Sequence, residues 1–127
     1  TADFHLGELK GVPLSSTLRT DKTTGEICYE KPITVETIDI SQFILETFSK
    51  SDFIVLKMDI EGSEYDILPK LLQDGLFDGY INVLYGEWHV EKLQNIDLAF
   101  HKKLVLSLKD KGFVMKEWCA EKGFFKS

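Results

Sequence analysis

A chain of 127 residues, 43% hydrophobic and 28% charged, has the size and composition of one ordinary globular domain. Fifteen basic against 21 acidic residues give a net charge of −6, and Arg19 is the only arginine, which argues against a nucleic-acid partner with its need for a basic stripe and guanidinium forks. No apolar run approaches the ~20 residues that cross a bilayer, and Cys28 and Cys119 form neither a disulfide framework nor a zinc cluster.

The two distant cysteines fit a reduced, cytoplasmic compartment, and the opening TADFHLGELKG, with no basic region followed by an apolar one, is not read as a signal peptide. It also lacks an initiator Met, as a processed chain or a fragment would. Residues 1–31 are rich in Thr, Ser, Gly, Lys and Asp and read as a loop-rich opening segment with a short strand or two, one near Glu26 to Tyr29. Ile33 to Ile38 alternates apolar and polar, a short strand. Asp39 with Gln42 forms a capping-box pattern ahead of a helix carrying Ile40, Phe43, Ile44 and Phe48, which ends at Ser51-Asp52.

Phe53 to Met58 is a near-continuous apolar run, the pattern of a strand buried on both faces. After the polar turn Asp59 to Glu64 comes a helix with Tyr65, Leu68, Leu71 and Leu72 on one face. Pro69 predicts a kink or restart in it, and Asp74-Gly75 its end. Tyr80 to Tyr85 is the next buried strand. A longer helix is expected from about Asn95 to Lys111, with Leu93, Ile96, Phe100, Leu104 and Leu108 as its stripe, then a strand from Phe113 to Trp118. Strands alternating with helices argue a mostly parallel α/β sheet.

Ligands of open α/β sheets bind beyond the carboxyl ends of the strands. That rule selects Asp59 and Glu61 after the first buried strand, and Glu87 and His89 after the second. If the two strands are neighbours, three carboxylates and an imidazole converge on one rim. His89 is the natural general base, with a carboxylate to orient its ring. The same four groups could hold a hard divalent cation. Glu64 falls in the first helical turn, where it would serve the helix dipole, and Gly62 reads as a backbone requirement. Trp88 and Trp118 read as packing residues, with pocket lining the alternative for Trp88; His5 reads as bland, His101 as part of a solvated face, the lysines as surface, and Ser15, Ser16 and Thr17 as loop.

These segments resemble the signature of FkbM-type methyltransferases. Ile54 to Leu68 (IVLKMDIEGSEYDIL) carries the core LK-x-D-x-E-G-x-E, and VETIDISQFI (Val35 to Ile44) and NVLYGEWH (Asn82 to His89) are similar to its flanking blocks, in the same order. The resemblance covers residues 33 to 90 well and the first thirty loosely. It implies a Rossmann-like sheet, S-adenosylmethionine as methyl donor, and O-methylation of a sugar or other small-molecule hydroxyl. It places Asp59 and Glu61 at one strand tip beside the transferred methyl, and Glu87 with His89 at the next.

The glycines are dispersed, with no glycine-rich turn of the kind from which such enzymes build the donor site. The chain therefore reads as a single domain, 1–127, that is the C-terminal, substrate-side part of a methyltransferase fold lacking its first strands. The competing reading is a non-catalytic α/β module that binds a partner chain or self-associates; under either reading the sheet edge those strands would leave predicts a homodimer. A receiver-like signalling domain is a third reading of Asp59, but the further acidic pair and late Lys that it needs are not in place.

Overall fold

The computed structural model of the chain describes residues 1–9, 12–13, 17–23, 27–119 and 124–126. Three short strands open it: β1 (Ala2–Phe4), β2 (Glu8–Leu9) and β3 (Val12–Pro13), with β2 and β3 paired antiparallel. β4 (Ile33–Val35) pairs antiparallel with β1 and stands outside the main sheet, so the strand expected at Ile33 to Ile38 is shorter and joins a separate ribbon. Near the strand expected at Glu26 to Tyr29, Ile27 makes an isolated bridge to Gly7; Glu26, Ser15 and Ser16 lie outside the described residues.

α1 (Ile40–Thr47) starts as its cap predicts: the Asp39 carboxylate accepts from the Gln42 N–H at 3.1 Å. The Gln42 side chain does not complete the box; it donates to Glu46 instead. The helix ends at Phe48, before the expected Ser51-Asp52.

The main sheet follows the order β5 (Ile54–Met58), β6 (Ile81–Gly86), β7 (Lys116–Cys119), β8 (Phe124–Lys126). β5, β6 and β7 run parallel, and β8 adds an antiparallel edge that the sequence did not suggest. α2 (Glu64–Gln73) connects β5 to β6, and α3 (Leu98–Asp110) connects β6 to β7. The mixed α/β, mostly parallel architecture is as expected.

β5 departs from its expected burial. Ile54, Leu56 and Met58 turn inward, while Val55 and Lys57 are exposed and Phe53 just before the strand is 74% exposed. An apolar run in sequence is here a one-sided strand at the sheet edge, because among the described residues nothing covers its second face.

The core joins Ile44 of α1, Met58 of β5, Leu68 and Leu71 of α2, Ile81 and Leu84 of β6, and Leu104 and Leu108 of α3. α2 runs unbroken through Pro69, without the expected restart, held on either side of it by the fully buried Leu68 and Leu71. The third helix begins later than expected, because Asp97 caps it and a 3₁₀ turn occupies Val90–Lys92. Leu93 and Ile96 still pack on the core but from the loop, and Phe100 is 40% exposed.

A candidate active site at the ends of two parallel strands

β5 and β6 are hydrogen-bonded neighbours, with Met58 opposite Gly86, so the turns that follow them leave the sheet side by side. Gly86 makes this approach possible. A Cβ there would stand 2.5 Å from the Met58 carbonyl oxygen and 2.7 Å from the Met115 sulfur.

The turn after β5 is unusual. Glu61 adopts a left-handed backbone conformation with φ 53°, and Gly62 follows at φ 106°. Such a residue at Glu61 costs of the order of 1–3 kcal/mol and persists only where the surroundings hold it. They do: Thr17 Oγ1 donates to the Glu61 carbonyl at 3.1 Å, and Lys22 Nζ lies 2.5 Å from the Glu61 carboxylate. Gly62 has no room for a side chain, since a Cβ would meet Leu93 at 2.7 Å and Arg19 at 2.9 Å.

Glu64, the first residue of α2, is fully buried. Its Oε1 accepts from the Ile60 N–H at 3.0 Å and faces His89 Nδ1 at 3.0 Å, while Oε2 accepts from the Gly62 N–H at 2.8 Å. Burial pushes this carboxyl up, but the hydrogen bonds from His89 and the backbone outweigh it and hold it below the usual range. An ionised carboxylate only accepts, so the proton between the two groups sits on Nδ1.

The opposite ring nitrogen, Nε2, is buried and has no hydrogen-bond partner. It points at three carboxylates: Glu87 at 3.7 Å, Asp59 at 3.8 Å and Glu61 at 3.8 Å. Burial opposes the charged imidazole, but Glu64, then Glu61 and Glu87, more than offset it and raise the His89 pKa above its ordinary value. His89 itself is 1% exposed, whereas the Asp59 and Glu87 side chains are 45% and 55% exposed. The arrangement is an imidazole at the bottom of an acidic bowl that opens to solvent.

All four residues singled out on the strand tips therefore meet on one rim. Glu64 was underrated. It serves the helix start and is also the group that orients the imidazole; its signal was the spacing Glu61-x-x-Glu64 at the helix entrance. Lys22, unlike the surface residue that its sequence context predicts, is buried at the bowl's wall. Trp88 packs, as expected, against Tyr65 and His101. His101 does not belong to a solvated face. Its Nδ1 meets the Tyr65 hydroxyl at 2.8 Å, and burial lowers its pKa. His5 is buried against the Tyr29 ring.

Residues 6–115 match the family model described as the methyltransferase FkbM domain. The chain belongs to the FkbM methyltransferase family. No curated protein and no solved structure matches it significantly. Membership makes it a methyltransferase-family protein with a small molecule as the expected substrate class. Among the described residues, no helix is long and apolar enough to cross a membrane.

Proposed function

We propose that the chain is the acceptor-side part of an S-adenosylmethionine-dependent O-methyltransferase with a Rossmann-like sheet, acting on a sugar or other small-molecule hydroxyl in the cytoplasm. The observation that carries this reading is the Glu64–His89 pair: a buried carboxylate fixes one imidazole nitrogen and aims the other into an open acidic rim. Methyl transfer to a hydroxyl requires the acceptor oxygen to be held in line with the methyl group and relieved of its proton. Asp59, Glu61 and Glu87 receive the hydroxyl, and His89 Nε2 is the basic atom facing it.

S-adenosylmethionine would supply the electrophilic methyl group. The residues present fit one aspect of that donor: its positively charged end suits a rim of three carboxylates. The sequence has no glycine-rich turn, and the surface cavities beside Pro69 and Phe100, beside Ile38 and Phe43, and between Asn82 and Lys116 are lined by none of the rim residues.

The second reading is an interaction module, 1–127, that pairs through β5 with a second copy of itself. It draws on the exposed Phe53 and Val55 at β5, the outermost strand of the main sheet among the described residues.

The test is calorimetric titration of the chain with S-adenosylmethionine, with methyl transfer to model sugars measured in wild type and His89→Ala and the sedimenting mass recorded alongside. The enzyme reading expects saturable donor binding, and a fall in turnover of about 10²-fold or more in the variant with smaller loss of donor affinity. A folded chain that binds no donor, and sediments as a dimer, would leave the interaction module.

A further inference from the structure

We propose that the bowl formed by Asp59, Glu61, Glu87 and His89 is a binding site for one divalent cation, with His89 Nε2 as its nitrogen ligand. A cluster of acidic side chains does not by itself make a cation site. Here a second observation points the same way: a fully buried imidazole nitrogen, without any hydrogen-bond partner, is aimed into the cluster. A buried polar atom left in this state carries its whole desolvation penalty. A ligand at its lone pair removes that penalty, and the charge around it selects a cation.

The geometry suits an ion. Two donors that each lie about 2.1 Å from one metal stand about 3.0–4.2 Å apart for angles between cis and trans. Nε2 is 3.7–3.8 Å from an oxygen of each of the three carboxylates. One donor atom each from Asp59, Glu61 and His89 all fall within 4.8 Å of one another. The chain also contains the usual outer support of a metal-ligating histidine, since Nδ1 is bonded to the Glu64 carboxylate and the ring is thereby fixed in orientation and made a better donor.

The charge balance agrees. Three carboxylates bring three negative charges, and the Lys22 ammonium at Glu61 offsets one of them. A dication matches what is left. The donors within mutual reach are the carboxylates of Asp59 and Glu61 and one imidazole, with Glu87 beside them at 3.7 Å from Nε2, which places the ion between the hard cations held by oxygen alone and the softer ones held by nitrogen and sulfur. Mn²⁺ is the probe that fits both halves of the set.

The site stands on its own residues and does not require methyl transfer. If the chain acts as proposed above, however, the ion redistributes the work. Nε2 would then be taken up as a ligand, the ion would make a nearby acceptor hydroxyl more acidic, and Glu87, the most exposed of the three carboxylates and outside the close donor group, would be the residue to receive the proton.

The experiment is Mn²⁺ titration of the full chain, followed by electron paramagnetic resonance of free Mn²⁺ and by electron spin-echo detection of nitrogen coupled to bound Mn²⁺. No substrate or donor is present, so failure here leaves the methyltransferase reading intact, and failure there leaves this one intact. The expected result is one Mn²⁺ per chain, with a single imidazole nitrogen coupled to it. Asp59→Asn, a change at a half-exposed side chain that leaves the fold in place, weakens binding at least about tenfold. His89→Gln removes the nitrogen coupling. The proposal fails if the folded wild-type chain takes up no Mn²⁺ saturably below about 1 mM. It fails equally if bound Mn²⁺ shows no coupled nitrogen, or if Asp59→Asn binds as the wild type does.

Discussion

At Glu64 a single carboxylate satisfies two backbone N–H groups and one imidazole while wholly removed from water. Each of its oxygens already accepts, so an amide in its place must turn an NH₂ group toward an N–H or toward Nδ1–H. Glu64→Gln is therefore expected to destabilise the chain by about 2–3 kcal/mol, more than an ordinary hydrogen-bond deletion. Urea unfolding would check it, and a loss within a few tenths of wild type would mean that the Glu64 site relaxes to accept the amide. Glu64 also shows what could be read from the chain and what could not. Its place at a helix start was legible from local spacing. Its burial was not, since that depends on His89, 25 positions later, arriving beside it.

Among the elements, β5 and β6 set the width of the rim. Strand tips bring Asp59 and Glu61 to one side and Glu87 and His89 to the other, and the separation is set by the close approach at Met58 and Gly86. Gly86→Ala puts a methyl against a backbone carbonyl that cannot yield without disturbing the pairing. A loss of about 1–3 kcal/mol is expected. It should be visible as a lowered midpoint in thermal unfolding and, if the rim widens with it, as weakened Mn²⁺ binding. An unchanged midpoint would mean that the strands can part at no cost. Element identity was well marked in the sequence: periodicity found α1, α2, β5 and β6 to within a residue or a few. Element ends were less so, because caps such as Asp97 compete with apolar spacing that continues beyond the helix. The one-sided burial of β5 departs from its apolar run for a different reason. An apolar run states that a strand tolerates cover on both faces; it does not supply the cover.

At the scale of the whole molecule, the opening segment straps the rim together. Thr17 holds the Glu61 carbonyl and Lys22 its carboxylate. Arg19 reaches Asp66 of α2 at 2.7 Å. Asp21 accepts from Arg19 at 2.7 Å and from the Asn95 N–H at 3.1 Å, beyond the second rim strand. One loop thus spans the turns after both strands. The hydrogen bond from Arg19 is the main reason that the Asp21 carboxyl lies below its usual range, with further help from the Asn95 N–H. A carboxyl lowered in the folded state contributes stability above the unfolded value, near 3.9, and loses it as pH falls through that value toward the folded one. Asp21→Asn should accordingly cost about 1–3 kcal/mol at pH 7, with the difference from wild type shrinking below about pH 4. Denaturation at pH 7 and pH 3 checks the sign; a difference that grew toward acid would contradict it.

The sequence by itself determined the α/β alternation, the helix starts, and the four residues at the strand tips, because those depend on spacing within a few positions and on the rule that sites lie at strand ends. It could not determine that Lys22, Arg19 and Asp21 belong to the same structure. Their partners lie far away along the chain, and a loop rich in Thr, Asp and Lys looks the same whether it is solvated or folded across a site. The tertiary structure decided that, and it decided the surroundings of His89: only in the fold does Glu64 meet Nδ1 while three carboxylates face the buried Nε2.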